Sequence, residues 1–86
     1  MKLTFTKPFI RDYQSLPALI HAQADKQLEL LLKDFRHPSL HTKKIKKEKG
    51  VWEGRVTKGL RFSFKIEKDT YILRRIGPHD RVLRKP

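Results

Sequence analysis

The sequence predicts an α+β domain, and three observations carry that prediction. A short alternating run, KLTFT, opens the chain; two proline-led helical stretches fill residues 7–35; three strand-like runs, VWEGRV, LRFSFKIE and TYILRRI, then follow in close succession. The expected architecture is an N-terminal strand, a helical hairpin and a three-stranded antiparallel meander, forming one curved sheet with the helices on one face. At 86 residues the whole chain, 1–86, is expected to be a single domain with one modest core.

Each element has its own signal. Leu3 and Phe5 share one face of the opening run, the two-residue period of a half-buried strand. Pro8 and Pro17 each suit the first turn of a helix, where the N–H that proline lacks would have no intrahelical partner. In the second helix Leu16, Ile20, Ala24, Leu28, Leu31 and Phe35 recur at spacings of three and four, a stripe able to cover a sheet. Leu30 and Leu32 fall off it, as a wider core face or as a surface for a partner. Pro38 is expected to end the helix. Lys43, Lys44, Lys46, Lys47 and Lys49 make the next stretch too charged for a core, so a basic loop or ragged helix end is expected there.

Charge bounds the partners. With 21 Lys+Arg against 9 Asp+Glu the formal charge is +12, a field that attracts a polyanion: nucleic acid, an anionic membrane or an acidic protein. The chain has no cysteine, no apolar leader and no apolar run near the roughly 20 residues of a membrane span, so a cytoplasmic protein with no membrane partner is expected. His21, His37, His41 and His79 show no metal-ligand spacing and there is no glycine-rich phosphate loop, so neither metal nor cofactor is expected.

The segment Thr57-Lys58-Gly59 sets the register of the first two meander strands. Read as a three-residue hairpin loop with Gly59 in the left-handed conformation, it places Val56 opposite Leu60, Arg55 opposite Arg61, Gly54 opposite Phe62, Glu53 opposite Ser63 and Trp52 opposite Phe64. One face then carries Trp52, Val56, Leu60, Phe62, Phe64 and Ile66, the expected core; the other carries Glu53, Arg55, Arg61, Ser63 and Lys65. Two arginines directly across from each other repel, by about 0.2–1 kcal/mol, and a phosphate between them reverses the sign. A solvated polar face in a basic protein also collects arginines without any ligand.

Gly77-Pro78 ends the last strand and delivers His79 and Asp80 beside that face. Which of Arg74 and Arg75 points towards the arginine pair is left open by the spacing. Two guanidinium groups, an imidazole and a carboxylate are the parts that cleavage of RNA by its own 2′-hydroxyl requires: cations for the charge on phosphorus, an acid for the departing 5′-oxygen and a base for the hydroxyl.

The order of elements, with HPSLHTKKIK, VWEGRVTKGLRFSFKIE and YILRRIGPHD, resembles the RelE/ParE superfamily of toxins from type II toxin–antitoxin systems, nearest to its mRNA-cleaving RelE-like branch. The resemblance spans essentially the whole chain. It implies a basic concave face that binds mRNA in the ribosomal decoding site and an antitoxin partner with an acidic, partly helical segment. By that resemblance the third-strand Arg of the family falls on Arg61, the basic residue before the hairpin on Arg55, a catalytic Lys position on Glu53, and the Arg or His after the last strand on His79. Where many relatives carry an aromatic residue shortly after, this chain has Leu83.

The expected function is therefore an mRNA-cleaving, metal-independent endoribonuclease toxin. Arg61 and Arg55 hold the scissile phosphate, His79 is general acid, Glu53 general base, and Asp80 orients His79. Lys43, Lys44, Lys46, Lys47, Lys49, Lys65, Arg74, Arg75 and Arg81 hold messenger or ribosomal RNA through its phosphates. The alternatives are a ParE-like toxin that poisons DNA gyrase, and a catalytically silent RNA- or ribosome-binding module.

Overall fold

The computed structural model describes residues 1–86. Strand β1 (Lys2–Phe5) leads into helix α1 (Lys7–Gln14) and helix α2 (Ala18–Lys33); a short 3-10 turn (Pro38–Leu40) precedes β2 (Lys43–Lys44), and β3 (Val51–Thr57), β4 (Leu60–Glu67), β5 (Thr70–Pro78) and α3 (His79–Arg84) complete the chain. The strands form one sheet in the order β1-β5-β4-β3-β2, antiparallel except for the parallel β1–β5 pair.

Local chemistry explains the helix starts. Thr6 caps α1, its hydroxyl accepting from the Phe9 N–H, and Pro8 sits in the first turn. Pro17 stands one step earlier than its expected place, as the cap residue of α2. That helix ends at Lys33, so Pro38 does not stop it but opens the 3-10 turn.

The predicted stripe holds. Ala24, Leu28 and Leu31 are buried, and Leu16, Ile20 and Phe35 pack against the same cluster, which Phe9, Phe62, Phe64, Leu73 and Ile76 share. Gly54 is required here because a Cβ at that position would collide with the Phe62 ring. Leu30 also packs on this core, which leaves Leu32 as the exposed off-stripe leucine.

Four expectations are corrected. Val56 does not pair with Leu60: Thr57 does, across the two-residue loop Lys58-Gly59, and Val56 lies at a register shift in β3. Gly59 is not among the positive-φ residues; the bulge increases the local twist that a left-handed glycine was expected to supply. Because the shift takes up one residue, the pairings from Arg55↔Arg61 to Trp52↔Phe64 stand as predicted. Ile66 is 38% exposed rather than core, since it lies near the β4–β5 turn at the end of the strand. The basic stretch is not all loop: Lys43 and Lys44 form an edge strand on β3, a place where lysines discourage further strand pairing.

The helical hairpin of α1 and α2 packs on one face as expected, and α3 is a further helix that the sequence reading did not include. After α3 the tail crosses the face opposite α1 and α2, where the Ser63 hydroxyl donates to the Pro86 carbonyl at 2.9 Å. Ile45, Val51 and Val82 are buried outside the main cluster, so the second face is partly covered.

Candidate functional site

Arg55 and Arg61 are direct cross-strand partners on β3 and β4, so their side chains leave the sheet on the same side. Arg61 curls over the β3–β4 turn, where its Nη1 donates to the carbonyls of Thr57, Lys58 and Leu60 at 2.7, 2.8 and 3.2 Å. The fourth carbonyl of that turn, Gly59, accepts the backbone N–H of His79 at 2.9 Å. One turn therefore anchors both the Arg61 guanidinium and the main chain of His79. Each strand contributes to that placement: the bulge brings the turn carbonyls round, and the Leu60↔Pro78 pair sets the start of α3 beside them.

Glu53 lies within this cluster, 3% exposed, with Oε1 3.6 Å from Arg61 Nε. Arg55 Nε is buried without a hydrogen-bond partner. A guanidinium carries five N–H donors, and leaving a buried one unpaired costs about 1–3 kcal/mol. The hairpin end thus holds two facing cations, Arg61 engaged by Glu53 and three turn carbonyls and Arg55 with one buried donor unpaired. His79 is partly exposed, its Nδ1 3.4 Å from Oδ1 of the exposed Asp80.

The open parity on β5 is resolved by a second bulge. Ser63 pairs with Arg75 and Phe64 with Leu73, which leaves Arg74 as the extra residue. Arg74 Nε donates to the Pro86 carbonyl at 3.0 Å, on the Ser63 side. Arg75 turns to Asp12 of α1 and forms a two-point pair, Nε to Oδ2 at 2.7 Å and Nη2 to Oδ1 at 3.1 Å. Asp12 also accepts from the Ile76 N–H at 3.2 Å and from Arg81 Nη2 at 3.3 Å. Burial pushes the Asp12 carboxyl upward, but the Arg75 hydrogen bond, the Ile76 N–H and the charges of Arg75 and Arg81 outweigh it and hold the group below its ordinary range.

Asp12 carries no signal in the sequence. It stands in for a missing strand: β1 pairs only with Thr70 to Leu73 of β5, so the later N–H of Ile76 needs another acceptor. Nothing in the run FIRDYQ announces this, because the partners lie 63, 64 and 69 residues away. Of the predicted phosphate-binding residues, Arg75 and Arg81 are thus engaged by Asp12, Lys44 stacks over Trp52 at 5.5 Å, and Lys47 donates to the Arg84 carbonyl. Lys43, Lys46 and Lys49 are exposed, and Lys65 is half-buried opposite Val51.

No protein-family model matches the sequence, and no curated protein matches it. Solved structures do match in shape. The chain is similar to the RelB-RelE antitoxin-toxin complex from Methanococcus jannaschii, with a TM-score of 0.76 over 96% of this chain and 99% of that one at 22% identity. It is similar to the YoeB/ParE toxin from Agrobacterium tumefaciens, with a TM-score of 0.78 over 92% and 99% at 19% identity. The intact E. coli RelBE toxin-antitoxin complex matches with a TM-score of 0.70 over 88% and 93% at 16% identity. The fold is that of the RelE/ParE toxins.

On this RelE/ParE-type scaffold the hairpin end brings together Glu53, Arg55 and Arg61, the face that the register predicted, and the main chain of His79 is tied to the same turn. Leu83, at the position where the resemblance led to an aromatic residue, is half-buried in α3.

Proposed function

We propose that this chain is the toxin of a type II toxin–antitoxin pair, a metal-independent endoribonuclease that cuts messenger RNA on the ribosome. The observation that carries the reading is the pair of facing arginines at the hairpin end, with Arg55 Nε unpaired and the main chain of His79 tied to the same turn. In this reading Arg55 and Arg61 bind the scissile phosphate and offset the charge that builds on its oxygens. The adjacent 2′-oxygen attacks phosphorus, the bond to the 5′-oxygen breaks, and His79 gives that oxygen its proton, leaving a 2′,3′-cyclic phosphate and a 5′-hydroxyl. Asp80 orients His79. Glu53, expected to be the base, is shut in against Arg61; its proposed role becomes holding that guanidinium, and the 2′-hydroxyl proton passes to water.

The antitoxin partner is part of the proposal. Several similar structures are toxin–antitoxin complexes by name. This chain offers an apolar groove of about 380 Å³ lined by Phe5, Phe9, Ile10, Tyr13 and Leu28 beside Asp25, with Phe5 and Ile10 both more than 40% exposed.

The test is induced expression followed by mapping of 5′ ends on cellular messages. Wild type should generate new ends with a 5′-hydroxyl. Arg61→Ala should lower cutting about 10²–10³-fold, and His79→Ala should lower it as well. Intact messages with trapped gyrase–DNA complexes would replace this reading by the ParE-like one.

A further inference from the structure

Helix α2 buries Ala24, Gln27, Leu28 and Leu31, one face on which packing alone would favour an apolar side chain at every position. Gln27 is the exception, 8% exposed in a stripe that is otherwise aliphatic. A buried amide is costly unless its polar groups find partners.

Those partners are main-chain carbonyls of two other elements. Gln27 Nε2 donates to the Arg55 carbonyl at 2.9 Å and to the Ser39 carbonyl at 3.3 Å, so one side chain ties α2 to the 3-10 turn and to β3. Arg55 is the last residue paired in β3 before the register shift at Val56. A bulge interrupts the regular ladder that elsewhere fixes the direction of each residue. A side-chain bond to the main chain at that point takes over part of the task.

The two facing arginines differ in how they are aimed. Arg61 is held by its own guanidinium, through Glu53 and the turn carbonyls. Arg55 Nε has no partner, so the direction of that side chain depends more heavily on its main chain. Gly54 pairs with Phe62 on the core side, and successive residues of a strand alternate between faces. The Arg55 side chain therefore leaves on the side away from α2, while Gln27 grips the Arg55 carbonyl from the helix side.

We propose that Gln27 is a positioning residue for Arg55: its bond to the Arg55 carbonyl fixes the β3 bulge and aims the Arg55 guanidinium at an anion bound beside Arg61. The consequence for RNA cutting rests on the proposed nuclease reading; the aim of Arg55 does not. Gln27→Met keeps the length of the side chain and removes its donors. Gln27→Asn, one methylene shorter, is the second variant, and Leu31→Val is the packing control on the same helix. Thermal melts set a temperature at which the chains are folded. The Arg55 Nε–H is assigned in NMR spectra by its loss in Arg55→Lys, and both Gln27 variants should speed its exchange with water at least about tenfold, with little change in Leu31→Val. On messages carried by translating ribosomes Gln27→Met should lower kcat about tenfold with KM little changed. Added to Arg55→Ala it should cause no further loss, because a residue that acts through Arg55 then has nothing to act on.

Unchanged Arg55 Nε–H exchange in the Gln27 variants overturns the proposal, as does a double variant that loses the full Gln27→Met factor again on top of Arg55→Ala. Loss of the fold in both Gln27 variants also overturns it, since Gln27 would then serve the core alone. The two readings separate cleanly. Faster exchange in the Gln27 variants, alongside a wild type that cuts no messages, keeps the positioning role and sinks the nuclease. Unchanged exchange, alongside message cutting that depends on Arg61, keeps the nuclease and sinks the positioning role.

Discussion

Two arginine clusters lie on this small sheet, and they are built on opposite terms. At Asp12 one buried carboxylate receives four donors, two from Arg75 and one each from Arg81 and the Ile76 N–H, at 2.7 to 3.3 Å. At the hairpin end one buried carboxylate, Glu53, meets Arg61 at 3.6 Å, and the facing Arg55 keeps a buried N–H with no partner. The first cluster is closed and ties α1, β5 and α3 together. The second leaves one guanidinium N–H, Arg55 Nε, unpaired. A buried ionic group fully met by its own protein is part of the fold, whereas one left short is where an external anion gains most.

Removing the acid from each cluster separates these descriptions. Asp12→Ala leaves Arg75 and Arg81 facing each other with the Ile76 N–H unpaired. Breaking a buried pair costs about 3–5 kcal/mol, and the lower end applies because Arg75 and Arg81 remain partly open to water. Chemical denaturation should record a loss of about 3 kcal/mol, large against the roughly 4–13 kcal/mol that 86 residues sustain. A loss near zero would make Asp12 as open as the hairpin end.

Glu53→Gln should instead act on function. It keeps the shape while removing the charge that holds Arg61, so message cutting should fall about tenfold, equivalent to one mispositioned charged hydrogen bond, with a melting temperature close to wild type. A fall in stability matching that of Asp12→Ala would erase the contrast between the clusters.

Acid sharpens it further. In the folded chain the Asp12 carboxyl titrates below its ordinary value of 3.8, so its contribution is complete above the unfolded value and is lost as pH falls through the folded one. Wild type should lose stability below about pH 4 more steeply than Asp12→Asn, in which that titration is absent. Equal slopes would remove Asp12 as the source.

The smallest effect belongs to the exposed pairs. Lys33–Glu29 has both side chains about 70% exposed, and Lys33→Ala should shift stability by no more than about 0.5 kcal/mol. A larger shift would mean that exposure is a poor guide to which pairs matter here.

The legible part of this molecule was the part written in local periods. The helical stripe of Leu16, Ile20, Ala24, Leu28, Leu31 and Phe35 and the Arg55↔Arg61 register both came from spacing alone. The register survived even though the turn differs, because the extra residue at Val56 compensated for a loop one residue shorter than expected. Bulges leave no periodic trace, and so the Arg74/Arg75 geometry and Asp12 were hidden.

By itself the chain's order of residues determined its strands and helices, the apolar face of the sheet and which arginines oppose each other, since these follow from periods of two and 3.6. Only the tertiary structure decided which cations are engaged and which are free. That depends on backbone irregularities at Val56 and Arg74 and on a carboxylate at Asp12 brought from 63 residues away, and long-range closure of this kind is set by packing, which no local pattern encodes.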